Sequence, residues 1–293
     1  MRFGVHLVAA GTMIEGDMIA RVAARAEELG YDSLWVSDHI VFPTELSVPY
    51  PYSPDGNLPF DPANPFLEPF TVLSYAAAVT QTIKIGTSVI IIPYRDPIIM
   101  AKIVSTLDVL SNGRFIFGAG IGWLDEEFKA LRLERKNRVP QTEEALAAMQ
   151  ACWTQANPEF HGKFYDFSDI KFSPKPRQKP HPPIWFGGTT MPALKRAVEL
   201  GTGWQSIWET PEKVAEKVGI IRDLCDQAGK DFETFDISIN VNNKVPLTVD
   251  TVRQFEEAGV NMMFMPRSFQ ADVDSMIETM ETFERDVKGP CGA

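Results

Sequence analysis

His39 and Asp38 stand side by side just after an apolar run, Ser33-Leu34-Trp35-Val36-Ser37. The chain has only four histidines. An imidazole titrates near neutrality, which suits general acid or base work. A loop histidine held by hydrogen bonds for structural reasons fits the same position. A second cluster is Gly187-Gly188-Thr189-Thr190, just before Pro192. It sets bare amides and two hydroxyls at a helix start, where unpaired N–H groups and the helix dipole favour a phosphate. The plainer alternative makes Thr190 an N-cap with proline in the first turn. A third cluster is Gly118-x-Gly120-x-Gly122. Its spacing departs from the dinucleotide fingerprint, and Glu143-Glu144, at about the distance of that fingerprint's acidic residue, fall on a predicted helix. Close backbone approach to something flat or bulky explains these glycines more simply.

Other chemistry-bearing residues carry less. Glu126-Glu127 could be an acid pair, but glutamates in a first helical turn usually complement the dipole. Met262, Met263 and Met265 read as strand core. His161 and His181 lie in polar loops, and His6 lies on the first strand. Histidines and carboxylates show no second clustered ligand, so a metal-dependent hydrolase built on Asp38-His39 is disfavoured and no metal is expected.

The 293 residues include 28 Lys and Arg against 39 Asp and Glu, a net charge of −11. Nucleic acids and anionic membrane surfaces are poor partners for that balance. Cys152, Cys225 and Cys291 lie far apart with no zinc or disulfide spacing, which suggests a reducing compartment. No apolar run approaches the ~20 residues that cross a bilayer. A cytoplasmic protein is expected.

The elements that must position these residues alternate. Apolar runs at Phe3–Val8, 33–37, Lys84–Ile92, Arg114–Phe117, 184–186, Gly203–Trp208, Asp236–Val241 and 262–265 read as eight strands. Amphipathic stretches separate them, beginning with Asp17–Leu29 and closing with Val273–Val287. Eight βα units with strands apolar on both faces predict a parallel sheet closed into a (β/α)8 TIM barrel. A doubly wound open sheet in two domains is the rival. It would need a mid-chain linker, and the one candidate, Pro174–Pro183, leads at once into another strand and helix. A single domain over 1–293 is therefore expected. In a barrel the chemistry sits at the C-terminal strand ends. Asp38-His39, the Gly118–Gly122 turn, Gly187–Thr190, Trp208-Glu209 and Met265-Pro266-Arg267 all fall there. So do two long insertions, after strands two and four. The first, Phe42–Pro69, carries Tyr50, Tyr52, Phe60 and Phe66. It suggests a pocket wall for an apolar or aromatic substrate, or an exposed loop that forms an oligomer contact.

The chain also resembles a known family. The matching pieces are Ala26-Glu27-Glu28-Leu29-Gly30-Tyr31-Asp32-Ser33-Leu34-Trp35-Val36-Ser37-Asp38-His39, Ile85-Gly86-Thr87-Ser88-Val89, and Leu107-Asp108-x-Leu110-Ser111-Asn112-Gly113-Arg114. Further on come Gly118-x-Gly-x-Gly-Trp123-Leu124-x-Glu126-Glu127-Phe128 and Pro182-Pro183-Ile184-Trp185-Phe186-Gly187-Gly188. In this order and at βα spacing they resemble the bacterial luciferase-like superfamily, and most closely its branch dependent on the deazaflavin coenzyme F420. The resemblance spans about Arg2 to Phe283.

It implies a barrel with a tricyclic redox ring on the C-terminal rim. Asp38 and His39 match the family's active-site pair, with His39 as proton donor or acceptor. Ser88 and Val89 match a bulge with a non-prolyl cis peptide behind the ring. Gly187, Gly188 and Thr189 would hold the cofactor phosphate, with Gly120 and Gly122 close to the cofactor. Trp123 stands where some deazaflavin dehydrogenases carry an acid, which counts against a sugar-phosphate dehydrogenase. The implied activity is hydride transfer between reduced coenzyme F420 and a small organic substrate. Alternatives on the same fold are an FMN-dependent monooxygenase and a non-catalytic flavin-binding barrel. Family members are often dimers, so a homodimer is expected.

Overall fold

The computed structural model describes residues 1–7, 17–51, 53, 56–58, 60–242, 245–265 and 272–292. Tyr52, Pro266, Arg267 and the end of the first predicted strand at Val8 lie outside these residues. Eight strands build the barrel: β1 Arg2–His6, β2 Ser33–Val36, β3 Lys84–Thr87, β4 Phe115–Gly120, β5 Ile184–Gly187, β6 Gly203–Ile207, β7 Asp236–Asn240 and β8 Met262–Phe264. Each pairs in parallel with its neighbours, β1 with β8 and β3 with β4, so the sheet closes on itself. Register runs Val5↔Leu34↔Ile85 on one side and Gly118↔Trp185 on the other. The rival open sheet is thereby excluded.

Small residues make room for large ones inside the ring. Trp35 and Trp185 stack at 5.1 Å between ring centres, and Ile116, Met262 and Phe264 complete this inner core. A Cβ added at Gly86 would lie 2.5 Å from the Trp35 ring, and one at Gly203 would lie 2.5 Å from Trp185. Glycine on β3 and β6 thus leaves the volume that indole on β2 and β5 fills.

The outer layer is helical: α1 Met18–Glu28, α2 Pro69–Val79, α3 Pro97–Leu110, α4 Asp125–Ala130, α5 Arg138–Thr154, α6 Met191–Leu200, α7 Pro211–Ala228, α8 Val249–Glu257 and α9 Val273–Phe283. Among the described residues four of them carry a side-chain N-cap. Asp96 caps α3 through the amides of Ile98 and Ile99, and Glu68 caps α2 through Thr71. Asp17, at the N-cap position of α1, makes no side-chain cap bond. The predicted third strand is interrupted. It stops at Thr87, turns through a cis Ser88–Val89 peptide, and resumes as Ile90–Ile91 beside β4. The insertion after β2 runs from 37 to 68, and the one after β4 carries α4; both stand on the C-terminal rim. Among the described residues no helix is long and apolar enough to cross a membrane.

Candidate active site

A cavity of about 740 Å³ opens on the C-terminal rim, a size that suits a cofactor and a small substrate. Asp38, His39, Ser88, Val89, Gly120, Gly122, Gly187, Gly188 and Thr189 all line it. Residues from distant parts of the chain therefore face one space.

His39 follows β2, and its side chain is 15% exposed. Its Nδ1 lies 3.0 Å from Glu127 Oε2. Glu127 sits in α4 with a side chain shut off from solvent. It also accepts hydrogen bonds from the amides of Ile40 and Val41 and from the Tyr94 hydroxyl, the last at 2.9 Å. Burial pushes the Glu127 carboxyl up. The hydrogen bond and charge of His39, the Ile40 amide and the Tyr94 hydroxyl outweigh it, so the carboxyl stays below its ordinary range. Tyr94 is driven well above its ordinary value by burial and then by the Glu127 charge, so it remains a donor. An ionised Glu127 can only accept, so Nδ1 of His39 must carry the proton it shares. Nε2 has no hydrogen-bond partner among the described residues. It is a bare lone pair when the ring is neutral and an N–H donor when the ring is charged.

Asp38 is not the partner of that imidazole. Its two oxygens accept from Arg95 at 2.7 and 2.9 Å, and Oδ2 also accepts from the Ile91 amide. Arg95 reaches on to Glu68 at 3.3 Å. The sequence pairs Asp38 with His39 as catalytic groups. In the structure Asp38 instead ties the end of β2 to the chain beyond the cis bulge, and so aims its neighbour His39. Glu127, which in the sequence looks like a dipole complement, is the carboxylate that reaches the ring.

The glycine run on β4 also has a partner other than a phosphate. A Cβ at Gly118 would lie 1.7 Å from the Thr87 carbonyl oxygen, and one at Gly120 would lie 2.5 Å from Val89. Gly122, at φ +78°, has Ile91 and Phe128 each at 2.8 Å. These glycines accept the bulge that follows β3, which pushes Val89 towards the cavity. Gln205 on β6 donates to the same Thr87 carbonyl at 3.2 Å. Gln205 lines the cavity, and its buried Oε1 has no partner among the described residues.

On the far side of the rim, Gly188 (φ +113°) and Thr189 lead into α6. Thr190 is the N-cap residue but makes no side-chain cap bond. Two arginines without a motif to mark them stand beside this turn. Arg196 is 6% exposed, lines the cavity, and contacts Glu143 at 3.3 Å. Arg138 has a buried Nε without a partner among the described residues. Burial and then Arg135 lower its affinity for a proton, with Arg196 adding to the effect. Arg196 shares one carboxylate, Glu143, and half-buried Arg138 donates to the Arg135 carbonyl, so N–H groups remain on this side that an anion could take. An amphipathic helix normally turns its arginines to solvent, so only their convergence in space marks these two.

Tyr50, Pro51, Phe60 and Phe66 of the first insertion line the cavity too, so that insertion is a pocket wall. Phe42 packs on His39 at 4.5 Å and Phe66 meets it edge-on at 5.6 Å. Among the described residues no group of three or more His, Cys, Asp or Glu is placed to hold a metal.

Comparison with known proteins agrees with this fold. The profile described as luciferase-like monooxygenase matches residues 1–254. An uncharacterized protein of Mycobacterium tuberculosis is 30% identical over 273 residues, 91% of this chain and 93% of that one. An F420-dependent glucose-6-phosphate dehydrogenase of Amycolatopsis mediterranei is 29% identical over 277 residues, 91% of this chain and 75% of that one. The crystal structure of the monooxygenase RslO1 from Streptomyces bottropensis superposes with a TM-score of 0.80 over all of both chains at 20% identity, which shows the shared fold.

Proposed function

Because the chain belongs to the luciferase-like monooxygenase family, whose members are flavin- or deazaflavin-dependent oxidoreductases, we propose that it transfers a hydride between reduced coenzyme F420 and a small organic substrate. The observation that carries this reading is the His39–Glu127 pair, which opens Nε2 onto the cavity that also holds the Val89 bulge and the Gly188–Arg196 side. The whole chain, 1–293, acts as one domain and pairs as a homodimer in this reading.

The residues present fit such a cofactor. Gly187, Gly188, Thr189 and the first turn of α6 offer amides to a phosphate, and Arg138 and Arg196 offer charge. The unpartnered Gln205 Oε1 suits an N–H on the ring's polar edge. Val89, backed by Gly120 and Gly187, supplies an apolar surface for one ring face, with Ser88 and Gly122 beside it. When bound, the deazaflavin supplies the hydride. His39 gives or takes the accompanying proton at Nε2, and Glu127 holds the tautomer and stabilises the charged ring. Asp38, clamped by Arg95, fixes the backbone that aims it. The aromatic wall excludes water.

FMN on the same site is the second reading. Its phosphate monoester carries two negative charges, which match the two guanidinium groups of Arg138 and Arg196. Titration of the purified chain with each cofactor, followed by fluorescence, decides between them. His39→Ala should lower turnover by roughly 100- to 10,000-fold while the cofactor stays bound. Wild-type turnover in that variant removes His39 from the mechanism, and binding without any turnover in the wild type marks a storage barrel.

A further inference from the structure

The cavity has two chemically different sides. β2 and β5 stand three strands apart around the ring, so His39 and the α6 N-terminus face each other across the rim. Arg138 and Arg196 belong to the α6 side, where Arg196 contacts Glu143 of α5. The His39 side is walled by rings. Phe66 and Trp123 meet the imidazole nearly at right angles, and Tyr50 bridges Trp123 at 5.4 Å and Trp208 at 6.0 Å.

The charged groups described on this side are already engaged, and Arg135, which also lines the cavity, pairs with Asp125 at 2.8 Å. Glu127 accepts from His39, Ile40, Val41 and Tyr94. Asp38 and Arg95 neutralise each other through two hydrogen bonds. Among the described residues of this wall, His39 Nε2 and the Trp123 indole N–H make no hydrogen bond, and neither carries a permanent charge. A charged substrate entering here would lose its hydration and find no counter-charge. A neutral one would gain ring contacts and could place one polar group against Nε2.

We infer that the chamber between His39, Phe66, Tyr50 and Trp123 takes an uncharged, apolar, ring-sized substrate whose single polar group is the one that reacts. This inference rests on the cofactor reading above, because the other side of the cavity must be filled by the cofactor. It separates this chain from enzymes that act on sugar phosphates, which need a cation in the chamber.

The experiment uses the chain loaded with oxidised coenzyme F420 and follows the cofactor's absorbance. 2-Naphthol, neutral near pH 7, is titrated against 2-naphthoate and glucose 6-phosphate. The neutral probe should bind saturably and at least about tenfold more tightly than either anion. Trp123→Ala and Phe66→Ala should each weaken 2-naphthol by about tenfold or more and leave cofactor affinity unchanged. If both variants fail to fold, the wild-type ranking decides alone. Anions that bind as tightly as 2-naphthol, or no binding of the neutral probe, overturn the inference. If neither coenzyme F420 nor FMN binds, the cofactor reading fails instead. The same titration of the cofactor-free chain, read by tryptophan fluorescence, then still ranks neutral against charged probes.

Discussion

Glu127 sets both the tautomer and the orientation of His39, and its own ionisation adds a stability that can be measured. Its carboxyl is held below the ordinary value of 4.5 by His39 and the donors around it. A group with a depressed folded pKa adds stability that is full above its unfolded pKa and is lost as pH falls through the folded one. The wild type should therefore exceed Glu127→Gln in stability near neutral pH, and the gap should close below about pH 4.5. Urea midpoints across that range check the sign. A gap that stays constant down to about pH 3 rules the carboxylate out as its source. Turnover in Glu127→Gln should fall, by less than in His39→Ala, because the imidazole stays in the cavity but loses the anion that fixes its tautomer. A merely structural glutamate would leave turnover per folded molecule in place. His39 itself is visible in the sequence, since its type is rare and it follows a strand. Glu127 is not, because it sits 88 residues away and an acid in a first helical turn has a commoner explanation. Asp38 stands out in the sequence with the wrong partner, because Arg95 is adjacent only after the bulge folds back.

The element that organises the rim is the interrupted third strand. Its turn needs Gly118, where a side chain would meet the Thr87 carbonyl at 1.7 Å, and backbone does not yield as a flexible side-chain tip does. Gly86 faces the other way, into the Trp35 ring at 2.5 Å. The two substitutions should separate. Gly86→Ala overpacks the inner core and should cost about 1–3 kcal/mol, with cofactor affinity retained in the folded fraction. Gly118→Ala displaces the bulge that carries Val89 and should weaken cofactor binding at least about tenfold, even where the chain still melts cooperatively. Equal effects on binding would mean that the bulge does not shape the site. The alternation of strand and helix, and hence the barrel, is legible because strands apolar on both faces demand helical cover. The break at Ser88-Val89 leaves no such periodic trace and comes from the family resemblance. The glycines on β4 announce a close approach, but only the fold shows that the approaching group is the chain itself. Arg138 and Arg196 stay hidden for the same reason: one starts α5 and the other lies on α6, and each alone looks like a solvated helix charge.

At the scale of the molecule two surfaces stand out from the rest. The outer faces of α2 and α3 expose Tyr75, Val79, Ile99, Val109 and Leu110, on neighbouring helices that are apolar nearly all round. Such helices are normally covered. A second copy of the same face is the occupant in the homodimer reading. Ile99→Glu with Leu110→Glu should then shift the chain from dimer to monomer in sedimentation. An unchanged mass would place the contact elsewhere. The other surface is the cavity, where Arg138 and Arg196 set cationic groups in a chain of net charge −11. The two fields have different reach. The overall charge repels an anionic cofactor at long range and is screened beyond about 10 Å at 0.1 M salt, while the guanidinium groups act at contact and are shielded from salt by burial. Raising salt from about 10 to about 150 mM should therefore speed cofactor association and leave dissociation almost unchanged. Arg138→Gln or Arg196→Gln should do the reverse, raising the dissociation rate by about tenfold or more with little effect on association, because the contact is lost and the far field hardly altered. Stopped-flow fluorescence resolves the two rates. Association that slows with salt would show that the cavity's own field, rather than the −11 of the whole chain, governs the approach of the ligand.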